Sequence, residues 1–131
     1  MSKKIAFMGT PNISGQILKS LYQNGFDIEV VYTQPPVASN RGHKLNKSPV
    51  HVMAEILNIP VRTPIVLDNS EEKNFLHKQN ISLGIVVAYG QILKKDILEI
   101  RKYGWIIIDY SVFGKLIGGG RFQSEFLEIV W

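Results

Sequence analysis

Four places in the chain set polar or reactive groups directly after an apolar run: Gly9-Thr10-Pro11, Thr33-Gln34-Pro35, Tyr89-Gly90 and Asp109-Tyr110-Ser111. Asp109 is the proton acceptor among them, although an ordinary carboxylate, with a pKa of about 4, is a weak base near neutrality. A second feature is the stretch from Val30 to Ala54. It has no acidic residue and holds Arg41, Lys44 and Lys47 together with His43 and His51. It reads either as a solvated basic loop or as a segment that contacts phosphates.

Several other chemistries find no support. A dinucleotide fingerprint needs G-x-G-x-x-G, whereas Gly9 is followed by Thr10-Pro11, and Pro11 removes an amide that a phosphate would use. Gly118-Gly119-Gly120 is followed by Arg121 rather than by Lys-Ser/Thr, so it reads as a flexible turn and not as a phosphate loop. With no cysteine, the chain has neither a disulfide framework nor a thiolate metal site. His43, His51 and His77 do not form a metal set. Only Glu55 lies one helical turn from a histidine, His51, and all three histidines are expected at the surface. Spacing alone assembles no Ser-His-Asp triad.

The elements that position these groups alternate along the chain. Lys4 to Met8 reads as a buried strand bounded by Gly9 and Pro11. A helix with Ile13, Ile17, Leu18 and Leu21 on one face follows, capped by Asn12 or Ser14 and ended by Asn24-Gly25. Ile28 to Thr33 is a second strand. The loop after it, "QPPVASNRGHKLNK", is too rich in proline, glycine and small polar residues to predict regular structure. Ser48-Pro49 opens a helix whose apolar face is supplied by Val52, Met53, Ile56 and Leu57, and a short strand lies around Val61 and Arg62. Asn69 to Asn80 is a polar helix whose Glu71 and Glu72 suit the positive end of the helix dipole, with Phe75 and Leu76 as its apolar contacts. Leu83 to Tyr89 is the strongest strand, Lys94 to Lys102 a further helix, and Trp105 to Asp109 a fifth strand.

This alternation predicts an α/β fold, a Rossmann-like mostly parallel sheet with helices on both faces. Strands apolar on both faces, such as "IVVAY" and "WIII", agree. Ligands of such sheets lie at the carboxyl ends of the strands, where the four polar runs fall. The 131 residues suit a single domain; 45% hydrophobic and 20% charged residues are ordinary for a globular protein, and the net charge is a mild +4. No apolar run approaches the ~20 residues of a membrane span, and the N-terminal apolar run is too short for a signal peptide, so a cytoplasmic protein is expected.

Six segments, taken in order, carry a resemblance: "IAFMGTP", "VYTQPP", "NRGHKLNKSPV", "IPVRTP", "IVVAYGQIL" and "RKYG". Together they resemble the methionyl-tRNA formyltransferase family from Lys4 to Gly104. The resemblance implies transfer of a formyl group from 10-formyltetrahydrofolate to the amino group of methionyl initiator tRNA. It places folate contacts at Ala88, Tyr89, Gly90, Ser111, Val112, Phe113 and Gly114, and tRNA contacts at Arg41, Lys44 and Lys47. No metal and no protein partner are implied. The family's paired Asn and His fall at Ile107 and Asp109 of this chain, and its Leu-Leu-Pro falls at Val112-Phe113-Gly114. Ile107 has no hydrogen-bond donor for an oxyanion, and an ionised Asp109 only accepts. Residues 1–131 are therefore expected to be part of a formyltransferase catalytic domain, incomplete on its C-terminal side, without the family's C-terminal barrel domain, and without useful activity. An exposed apolar sheet edge is expected after the fifth strand. Substitutions crowd between Trp105 and Trp131, which favours an incomplete or misread gene over a redesigned site. Two alternatives stay open: another folate-dependent formyltransferase, and a non-catalytic tRNA- or folate-binding remnant.

Overall fold

The computed structural model describes residues 4–38, 44–93, 95–98, 104–108 and 127–130. Strand β1 (Lys4–Gly9) is followed by α1 (Asn12–Gln23), β2 (Asp27–Tyr32), β3 (Val37–Ala38), β4 (Leu45–Asn46), α2 (Pro49–Ile56), β5 (Val61–Arg62), α3 (Ser70–Lys78), β6 (Leu83–Val87), α4 (Lys95–Leu98), β7 (Gly104–Ile108) and β8 (Leu127–Val130). The main sheet has the order β5-β2-β1-β6-β7-β8. The first five of these are mutually parallel, as the alternation of apolar runs and helices predicted.

Strand side chains alternate between faces, and this divides the core in two. Ile5, Phe7, Ile85 and Val87 point to one face and pack with Leu18 of α1 and Val50 and Ala54 of α2. Ala6, Met8, Val86 and Trp105 point to the other and pack with Leu76 of α3 and Ile97 of α4. Both faces are covered, which is why β1 and β6 read as continuous apolar runs rather than alternating ones. Gly15 lets α1 approach the start of α2: a Cβ there would lie 3.4 Å from the Pro49 carbonyl oxygen. Gly25, at φ +86°, provides the left-handed turn that ends α1.

Several expectations need correction. The loop after β2 is not devoid of regular structure. Val37 pairs with Asn46 and Ala38 with Leu45 in a small antiparallel hairpin. Pro35 and Pro36 precede its first strand, where they cost no ladder hydrogen bond. Helix α1 has Pro11 at its N-cap and no side-chain cap. Ser14 instead donates from Oγ to the Val87 carbonyl, tying α1 to β6. Strand β6 stops at Val87 because Ala88 turns to φ +53°. Helix α3 begins at Ser70, with Asn69 outside it accepting the Glu72 amide at 2.8 Å. The described part of α4 has four residues. The edge of β7 is not bare, because β8 pairs with it antiparallel, Ile106 opposite Ile129 and Ile107 opposite Glu128.

Glu72 does more than complement a dipole. It is 5% exposed and accepts Arg62 Nε at 2.7 Å, Arg62 Nη2 at 3.2 Å and the Tyr32 hydroxyl at 2.8 Å. The Arg62 guanidinium also stacks 3.9 Å from the Phe75 ring centroid. Burial, then the Glu72 carboxylate, pushes the Tyr32 phenol far above its ordinary range. Glu72→Ala would leave Arg62 and Tyr32 facing an emptied acceptor. Arg62 retains some solvent, so the expected loss is about 2–3 kcal/mol, below the value for a fully buried pair. Chemical denaturation measures it, and a loss under about 0.5 kcal/mol would contradict this role.

Candidate functional site

The sheet order reverses between β1 and β6, whose chains leave toward opposite sides: β2 flanks β1, and β7 flanks β6. Open α/β sheets bind ligands in the crevice at such a point, beyond the strand carboxyl ends. Here those ends are Gly9-Thr10 and Ala88-Tyr89-Gly90. They are locked together: Thr10 Oγ1 donates to the Tyr89 carbonyl at 2.7 Å and accepts the Gln34 amide at 3.4 Å. One threonine thus joins the ends of β1, β2 and β6. The Thr10 carbonyl in turn accepts the Val50 amide at 3.3 Å, which docks the start of α2 against the same crevice.

The turn after β6 has an unusual backbone. Ala88 has φ +53° and Gly90 φ +99°. A non-glycine residue in the left-handed region costs roughly 1–2 kcal/mol. Such conformations persist where the surroundings fix them, and they concentrate at functional sites. Gly90 meets a second constraint, because a Cβ there would lie 2.6 Å from Gln34 Nε2. Between them Tyr89 is 2% exposed, and burial raises its phenol well above the ordinary tyrosine range, so it stays neutral.

Gln91 holds the next shell of loops. Its Oε1 accepts the Leu67 amide at 2.7 Å. Its Nε2 lies 3.1 Å from the Pro64 carbonyl, 3.3 Å from Gln34 Oε1 and 3.4 Å from the Tyr89 hydroxyl. The loops after β2, β5 and β6 therefore meet at one side-chain amide. Sequence reading marked Thr10 and Gln34 only as strand ends and gave Gln91 no part. Three of its four partners lie 24, 27 and 57 residues away, so little that is local signals it.

Of the residues expected at the site, Ala88, Tyr89 and Gly90 form the turn at the carboxyl end of β6, with the Tyr89 side chain buried in the core. Ile107 lies on β7 level with Val86, half-buried against the core layer that contains Met8 and Tyr89. Asp109, Ser111, Val112, Phe113 and Gly114 fall outside the described residues, as does Arg41. Lys44 is exposed just before β4. Lys47 is engaged, with Nζ 2.7 Å from Glu55 Oε2, and this contact holds the Glu55 carboxyl below the usual range. Ser48 caps α2 by accepting the His51 amide at 3.0 Å, and its hydroxyl also meets that of Thr33. The Thr33–Ser48 contact brings the end of β2 and the start of α2 together and so closes the basic segment on itself.

His51 departs from the surface position expected for it. Its side chain is 13% exposed, Nε2 lies 3.7 Å from Glu55, and Nδ1 is buried without a hydrogen-bond partner. Burial lowers its pKa, so it is neutral at physiological pH. His77 is exposed as expected. Among the described residues no group of three acidic or histidine side chains could hold a metal, and no helix is long and apolar enough to cross a membrane. A shallow cleft of about 340 Å³ lies along α3 and is lined by Arg62, Glu71, Asn74, Phe75 and Lys78.

A mostly parallel sheet with helices on both faces and an order that reverses between β1 and β6 defines the class: an α/β fold of the doubly wound kind. The formyl transferase family profile matches residues 3–127, and the chain belongs to that family, a family of enzymes. It is 47% identical to the methionyl-tRNA formyltransferase of Pelagibacter ubique over 130 residues, which is 98% of this chain and 42% of that protein. Methionyl-tRNA formyltransferases of Caulobacter vibrioides and Rickettsia rickettsii are each 40% identical, over 95% of this chain and 40% and 41% of theirs. The chain thus spans about two fifths of the curated relatives' length and is similar to their N-terminal region. Both the family match and the Pelagibacter alignment run through the altered segment after Gly104. Phosphoribosylglycinamide formyltransferase of Bacillus halodurans superposes with a TM-score of 0.61 at 14% identity, covering 82% of this chain and 56% of that one. The Anaplasma phagocytophilum enzyme gives 0.60 at 12%, covering 83% and 50%. These likenesses establish the fold.

Proposed function

We propose that this chain is the donor-binding part of a methionyl-tRNA formyltransferase, with 10-formyltetrahydrofolate held at the β1–β6 crevice and methionyl initiator tRNA approached by the basic segment. Residues 1–131 belong to its catalytic domain. The observation that carries the reading is the turn Ala88-Tyr89-Gly90, locked at the reversal point of a sheet whose sequence matches the formyl transferase family from residue 3 to 127.

In the reaction the amino nitrogen of the methionyl group attacks the formyl carbon. A tetrahedral oxyanion forms, the nitrogen loses a proton, and the bond to folate N10 breaks as N10 takes a proton. The protein must supply a donor for the oxyanion and an acceptor for the amine proton. Ile107 and Asp109 stand where the resemblance puts those two groups. Ile107 offers no donor, and Asp109 is a weak acceptor, so binding is retained while transfer is slow. Ser111, Val112, Phe113 and Gly114 complete the donor contacts in this reading.

Isothermal titration with 5-formyltetrahydrofolate, a stable analogue of the donor, tests the reading. Saturable one-to-one binding is expected, and Gly90→Ala should weaken it by at least about tenfold, because a Cβ is strained at that φ and collides with Gln34. Absence of binding by the unmodified chain sinks the proposal.

The basic segment yields a separate prediction. RNA phosphates are contacted by Arg41, Lys44 and Lys47, and Lys47 must leave Glu55 to reach one. Lys47→Ala should lower the slope of log affinity against log salt by about 0.7–0.9. An unchanged slope would remove Lys47 from the RNA contacts.

A further inference from the structure

We infer that Gln91 is a positioning residue for the donor: its side-chain amide sets the shape of the Ala88–Gly90 turn by clasping it to the loops after β2 and β5. The inference rests on the donor-binding reading above and goes beyond it by naming the group that shapes the crevice.

A glutamine amide has one carbonyl, which accepts, and one NH2, which donates twice. Gln91 uses both ends. The carbonyl takes the Leu67 amide at 2.7 Å. The two N–H groups are shared by three oxygens, those of Pro64, Gln34 and Tyr89, at 3.1, 3.3 and 3.4 Å. Leu67 and Tyr89 are 1% and 2% exposed, so water does not readily replace these bonds at either. The Gln34 side chain so held is the one whose Nε2 fills the space beside Gly90. Movement of Gln91 would free Gln34, whose amide borders Gly90, and would release the Tyr89 hydroxyl from the neighbouring loops.

The polarity of the clasp gives the test its sign. Gln91→Glu keeps size and shape. As a carboxylate it still accepts from Leu67 but donates to nothing, and it faces the Pro64 and Gln34 oxygens with negative charge. As a neutral carboxylic acid it regains one O–H donor. Gln91→Leu can neither accept nor donate at any pH. The Pro64 and Gln34 oxygens that face an introduced carboxylate, together with its partial burial, disfavour its charged form and raise its pKa. The experiment is calorimetric titration of the 131-residue chain with 5-formyltetrahydrofolate at about pH 7 and about pH 4.5, with a melting curve for every sample.

The expected result has three parts. Gln91→Glu binds about tenfold or more weakly than the unmodified chain at the higher pH. It recovers most of that deficit at the lower pH. Gln91→Leu stays weak at both. A residue that merely fills space would show no such recovery. Equal affinity of Gln91→Glu and the unmodified chain, or an equal deficit at both pH values, overturns the inference. Should Gln91→Leu fail to fold, the pH pattern of Gln91→Glu decides alone. If the unmodified chain does not bind at either pH, the donor reading fails and the inference falls with it. Binding by the unmodified chain with an unaffected Gln91→Glu overturns this inference and leaves that reading standing.

Discussion

Gly84→Ala is expected to lower the melting temperature by about 10 °C or more. Gly84 lies in β6 directly opposite Trp105 of β7. The added Cβ would sit 2.1 Å from Trp105 Cε3 and 2.2 Å from Cζ3. These are ring atoms and cannot swing away. Trp105 is 1% exposed and packed with Met8, Tyr32, Tyr89 and Ile97, so the ring has nowhere to go. Overpacking of this kind costs about 3 kcal/mol or more, a large part of the roughly 5–15 kcal/mol that holds a domain together. At about 3–5 °C per kcal/mol for a domain of this size, the shift follows. Differential scanning calorimetry measures it, and a variant melting within about 2 °C of the unmodified chain would show that β6 and β7 are not packed as described. The consequence reaches the site as well, since Trp105 fixes β7 and therefore Ile107.

Formyl transfer by this chain is expected to be at least about 10²–10³-fold slower than by the Pelagibacter relative under the same conditions. Removal of one oxyanion donor typically has that effect. Ile107 lies level with Val86, half-buried against the apolar layer, and carries only methyl and methylene groups. No neighbouring oxygen or nitrogen can make it a donor. A single-turnover assay with formyl donor and charged initiator tRNA measures the rate. In the same assay, Ile107→Asn combined with Asp109→His should recover more than either change alone, because donor and base act on one transition state. A rate for the unmodified chain within about tenfold of the relative's would refute this account of position 107.

Much of the fold was legible because strong apolar runs alternate with clear stops. The runs within Lys4–Met8, "IEVVYT", "IVVAY" and "WIII" are largely apolar without a period of two, and such runs announce a parallel sheet. The hairpin was not legible, because a strand of two residues, Val37-Ala38 or Leu45-Asn46, has no period to read. The burial of Glu72 was missed for a different reason. At the first turn of α3 a carboxylate has a sufficient local explanation, and its real partners, Arg62 and Tyr32, come from two other elements. The site divides in the same way. The glycine after "VVAY" marked its turn from the sequence, while the side chains that hold the turn, Thr10, Gln34 and Gln91, became visible only once the topology brought distant loops together.

The measurement closest to the central claim is hydrogen–deuterium exchange of the 131-residue chain with and without saturating 5-formyltetrahydrofolate. A donor held at the β1–β6 crevice should slow exchange in peptides covering Ala88 to Leu93 and Thr33-Gln34, and leave α3 unchanged. Unaltered exchange at Ala88 to Leu93, or protection confined to the Arg62–Phe75 cleft, would contradict it.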